Sequence, residues 1–240
     1  MRRSLIILAG AAVLAALVAS SPFRSFLAFA TEGCGGEGDK FVFEGSVTES
    51  RKTVGTDSIR DGKRKDVSDG LEQGLTDLGA TANAPHNKAA IRNSVKEIFD
   101  RDADAFTHVE SYYARAVSRH QPDNHVGVVT VTWRARVVIL LPANADVQVT
   151  NHELGHLEIE KLLKDLANTR FGAAVAPLLA QIKSDAEVDA VLLPVKTKLE
   201  KIAQEAITKY DEVTNHGTLG GEGQIQIATD TFNAVAAANP

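Results

Sequence analysis

The chain has 240 residues, with 26 basic against 31 acidic side chains and a single cysteine. The net charge of −5 argues against nucleic acid, which selects basic patches, and a lone thiol rules out an intrachain disulfide. About 210 residues beyond the N-terminal segment are enough for one domain with a real core.

Arg2 and Arg3 precede a 14-residue apolar stretch, Leu5 to Val18, and small residues then lead to Ala28-Phe29-Ala30 before Thr31. This is the pattern of an export signal with an A-x-A-like cleavage site. A membrane span needs about 20 apolar residues, and Pro22 and Arg24 interrupt this one. A cleaved signal over residues 1–30 is therefore expected, with an uncleaved anchor as the alternative, and a secreted, periplasmic or cell-envelope location. Removing these residues takes away three Arg and no acid, leaving a net charge of −8. That charge also disfavours an anionic membrane surface, so no stable membrane partner is expected unless the segment stays uncleaved. Cys34 lies in a Gly-rich tail, residues 31–39, and reads as an unpaired thiol rather than a latency ligand.

Residues 31–85 read as a charged lead-in with a short strand around Phe41-Val42-Phe43 and a loop or exposed amphipathic stretch over 50–75. Residues 86–240 are expected to carry the main domain. Within it, 87–119 look helical, with Ile91, Val95, Ile98 and Phe99 on one stripe. Tyr112, Tyr113 and Val117 either extend that helix or begin a strand. From Val126 to Leu141, apolar residues alternate with Thr130, Thr132, Arg134 and Arg136, which predicts one long strand or a hairpin with one buried face, ended by Pro142.

A helix follows. Thr150 and Glu153 fit a capping box, so it is expected to start near Asn151, run four to five turns and stop around Asn168 or Gly172. Residues 173–213 read as a long helical tract interrupted at Pro194, closed by Gly217 as a left-handed cap. The expected class is α+β: a small antiparallel or mixed sheet packed on this central helix, with further long helices, in a zincin-like arrangement.

The central helix carries His152-Glu153-Leu154-Gly155-His156, the pattern HExxH. Positions i and i+4 share a helix face, so both imidazoles can address one metal while Glu153 reaches a metal-bound water. Gly155 costs about 1 kcal/mol inside a helix relative to Ala, which suggests close approach of another element. A catalytic zinc needs a third protein ligand. His216, at a helix end before Gly217, is the leading candidate, with Asp211 and Glu187 as competitors. Glu160 is rotated away from the pair, and His86, His108, His120 and His125 have no carboxylate geometry that singles them out. Tyr210 is a candidate oxyanion donor, and Asp211 can alternatively orient a ligating His.

The pairing of HELGH with Tyr210-Asp211-Glu212-Val213-Thr214-Asn215-His216-Gly217, after a strand ending in Leu141-Pro142, resembles a bacterial domain-of-unknown-function family of predicted secreted zinc-dependent proteases. Phe41 to Thr48 is a weaker echo. The resemblance implies Zn2+ held by His152, His156 and His216, Glu153 as general base, and Tyr210 and Asp211 as site residues. The expected function is thus a secreted zinc metallopeptidase acting on peptide or protein substrates. The rival is a secreted binding or structural module with a structural metal or none.

Overall fold

The computed structural model describes residues 39–55, 57–79, 87–100, 103–120 and 125–240. The segment expected to be an export signal, Cys34 and His86 lie outside these residues. Among the described residues the protein is α+β, with a three-stranded mixed sheet and five α-helices.

The sheet is ordered β1-β3-β2, from β1 (Lys40–Thr53), β2 (Phe106–Arg119) and β3 (Val126–Leu141). The long alternating segment is a single strand, and it is central: β1 pairs with it in parallel from Lys40↔Val128 to Thr53↔Leu141, and β2 pairs with it antiparallel. Val129, Val131, Trp133, Val137 and Ile139 are buried on one face, towards the helix that carries HExxH. Val138 and Leu140 are buried on the other, under α1 (Arg64–Asp77) and α2 (Lys88–Asp100). Alternation therefore gives way to continuous burial where helices cover both faces, as period-two geometry requires.

Several boundaries differ from those expected. The described part of the charged lead-in supplies a full edge strand and α1, whose Val67, Leu71 and Leu75 are fully buried. The helix over 87–119 ends at Asp100, and Tyr112, Tyr113 and Val117 belong to β2. The central helix, α3 (Val147–Val175), starts four residues early because Asp146 caps it, its carboxylate accepting from Val149 N at 2.7 Å. Asn168 and Gly172 lie inside this helix of about eight turns. The helical break falls not at Pro194 but at a 3-10 segment, Ala176–Gln181, before α4 (Asp185–Thr214). Pro194 and Ala190 both lie on the exposed face of α4, so the carbonyl that loses its partner is left to water. The last segment forms a further helix, α5 (Gln224–Ala238), packed on α3 and α4.

Arg115 joins the outer strand to α4, with two bonds of 2.7 Å to Asp189 and one of 2.8 Å to Asp185. Such bidentate pairs fix orientation as well as energy.

Glu160, on α3, is 3 % exposed, and its Oε2 has no hydrogen-bond partner. Burial pushes its carboxyl from the ordinary 4.5 up to about 7. Because the folded value exceeds the unfolded one, the native chain keeps a proton that the unfolded chain has released between those pH values. Stability therefore falls as pH rises from about 4.5 to 7 and then levels off, a loss on the order of 3 kcal/mol. Glu160→Gln is predicted to be more stable than wild type at pH 8 and to narrow the gap between pH 5 and pH 8. Denaturant midpoints at both pH values measure this, and an unchanged gap would contradict it.

Candidate metal centre

α3 presents His152, Glu153 and His156 from its second and third turns, all inward and at most 1 % exposed. Facing them is Asp211, 2 % exposed, in the last turn of α4. His152 Nε2 and His156 Nε2 are 3.2 Å apart, and they lie 3.4 and 3.3 Å from Asp211 Oδ1. These three atoms form a nearly equilateral triangle. A tetrahedral zinc with bonds of about 2.0–2.1 Å separates its ligand atoms by about 3.3–3.4 Å, so the triangle matches one face of that tetrahedron. Two imidazoles and one carboxylate are also a donor set that zinc accepts.

The electrostatics agree. Burial alone would raise Asp211, but His156 and His152 beside it hold its carboxyl down at about 2. Glu153 is moved the other way, from 4.5 to about 7, by burial, with Asp211 adding to the rise and His152 and Thr107 opposing it. Thr107, on β2, donates to Glu153 Oε2 at 2.5 Å, while Glu153 Oε1 is buried without a hydrogen-bond partner. The Glu153 side chain is thus turned into the site rather than back to the Thr150 amide, which bonds Asp146 O at 3.0 Å.

Tyr210 forms the floor. Its ring stacks on His152 at 5.0 Å and 11° and meets His156 edge-on at 5.1 Å and 88°. The hydroxyl donates to the His152 carbonyl at 3.1 Å and lies 3.5 Å from Gln224 Oε1, with the whole residue buried. A Cβ on Gly155 would sit 2.1 Å from the Tyr210 oxygen and 2.4 Å from Cζ. The glycine inside HELGH is therefore the place where Tyr210 enters α3. Thr214 Oγ1 donates to Tyr210 O at 2.7 Å and lies 3.4 Å from His152 Nδ1, which orients that imidazole with Nε2 towards the triangle.

His216 is placed differently. It lies outside the His152–His156–Asp211 group, in a left-handed turn with Asn215 at φ 45° and His216 at φ 51° before Gly217. Its amide donates to Asp211 O at 2.8 Å, and its Nδ1 is buried without a partner. Gln148 and Gln224 both donate to Gly217 O, at 2.7 and 3.0 Å, so the turn is tied to α3 and α5. Glu187 is occupied elsewhere, its carboxylate accepting from Lys183 N at 2.6 Å and its amide donating to the N-cap Ser184 Oγ at 3.2 Å. The spacing of Tyr210, Asp211 and Thr214 in one helical turn was visible in the sequence. Thr107 and Gln224 gave no local signal.

No protein-family model, curated protein or solved structure matches this chain.

Gly155→Ala is predicted to lower stability by about 1–3 kcal/mol through overpacking, although Ala favours the helix. The loss should shrink in a Tyr210→Ala background, because the two residues share one space. A double-mutant cycle by denaturant unfolding checks this, and additive losses would contradict the wedge.

Proposed function

We propose that this chain is a zinc-dependent hydrolase of peptide bonds with a zincin-like site, in which His152, His156 and Asp211 hold the metal. Asp211 takes the place in that set that the sequence assigned first to His216. When bound, zinc supplies a water of near-neutral acidity and polarises a carbonyl oxygen. Glu153 is the proton carrier: it adjoins His152 on the helix face of the triangle, where a carboxylate can take a proton from water and pass it on. Thr107 fixes one oxygen of that carboxylate and leaves Oε1 for the reacting water. Tyr210 and Thr214 hold the imidazoles in orientation, a positioning role.

The observation that carries this reading is the joint presence of a three-donor triangle with one coordination position left over and, on the same helix, a buried carboxyl with one oxygen held by Thr107 and the other unpartnered. The peptide substrate is supported by β2, which carries Thr107 and whose outer edge is unpaired among the described residues, as strand-wise recognition of an extended chain requires. The N-terminal signal pattern supports action outside the cytoplasm, and the acidic chain makes nucleic acid a poor partner.

A second reading, a structural zinc in a non-catalytic secreted module, is favoured by one fact: His152, Glu153, His156 and Asp211 are all at most 2 % exposed. Glu153→Gln separates the two. The hydrolase reading predicts unchanged zinc content and a fall in peptide hydrolysis of at least about 100-fold. Wild-type protein that binds zinc and cleaves no member of a peptide library would support the structural reading instead.

A further inference from the structure

We propose that Asp39, His120 and His125 form a second metal site, at the surface, for a divalent transition ion of the zinc, copper(II) or nickel type. No carboxylate near His120 or His125 in the chain singles them out; the fold brings one to them. Asp39 directly precedes β1, His120 follows β2 and His125 precedes β3, so the ends of all three strands converge at one end of the sheet. Asp39 Oδ1 lies 3.0 Å from His125 Nε2 and 3.4 Å from His120 Nε2, and the ligand atoms of the three residues all lie within 4.8 Å of one another.

The backbone sets this arrangement. His120 N donates to His125 O at 3.0 Å, closing the β2–β3 connection and placing the two rings 4.9 Å apart at 37°. The His120 ring lies over Gly127, where a Cβ would come within 2.2 Å of Cδ2 and 2.3 Å of Nε2. Any residue but glycine there would displace the ring from Asp39. The side chains remain 25–36 % exposed, so an ion has direct access from solvent. Two imidazoles with one carboxylate suit zinc, copper or nickel and do not suit calcium or magnesium, which take oxygen ligands. Three protein ligands leave coordination open to water. A bound ion would also clamp the entry of β1 to the β2–β3 connection and stabilise the sheet by mass action.

The test uses the full chain without a polyhistidine tag, stripped with chelator and dialysed against zinc, with metal counted by plasma mass spectrometry. Wild type is expected to bind about two equivalents, and His120→Ala/His125→Ala about one. His152→Ala/His156→Ala, which removes the interior pair, should also bind about one, and excess calcium should displace none of it. Zinc should raise the melting temperature of wild type by more than that of His120→Ala/His125→Ala. Equal zinc content in wild type and His120→Ala/His125→Ala would overturn the second site and leave the interior one standing. A single equivalent lost only in His120→Ala/His125→Ala would support the surface site and refute the interior one.

Discussion

The contact on which the site depends is the insertion of Tyr210 from α4 against Gly155 of α3. There the two helices approach closely enough for a phenol oxygen to occupy the space of a missing methyl group. That single approach fixes several things together. It lays the Tyr210 ring on His152 and against the edge of His156, and it brings the next residue, Asp211, to 3.3–3.4 Å from both imidazole nitrogens. Below the helices the sheet supplies the rest: β3 buries Val137 and Ile139 beneath α3, and β2 delivers Thr107 to Glu153.

Burying such polarity is costly. A carboxylate and two imidazoles withdrawn from water cost several kcal/mol per charge unless compensated, and Glu153 and Glu160 add two further carboxyls on the same helix. The chain meets the cost in two ways. Glu153 and Glu160 are shifted to about 7, so they carry protons more readily. Asp211 is held ionised at about 2 by the histidines it faces. An ionised carboxylate with two imidazole nitrogens aimed at a common point is what a divalent cation compensates best. Asp39 with His120 and His125 brings the same three donor types together at the surface.

Much of this organisation was legible in the sequence where pattern and packing coincide. The alternation from Val126 to Leu141 is the central strand, HELGH lies on a helix, and Gly155 marks a close approach. Local signals misled where tertiary contacts override them. Thr150 and Glu153 have capping-box spacing, yet Asp146 caps the helix because Glu153 is drawn to Thr107. Asn168 and Gly172 resemble stop signals but lie in a helix held by Leu163, Ala167, Phe171 and Val175 in the core. Ala114 and Ala116 lend helical character to a segment that the pairing with β3 makes a strand. His216 was the first candidate because a helix end can present a side chain; it lies in the left-handed turn with Asn215, outside the group that His152 and His156 form with Asp211.

The claim that Asp211 completes the interior site is tested most directly by native mass spectrometry of zinc-loaded protein in which His120 and His125 are replaced by alanine. In that background the account predicts that Asp211→Ala loses the remaining zinc and that His216→Ala retains it. Zinc kept by Asp211→Ala and lost from His216→Ala would contradict it.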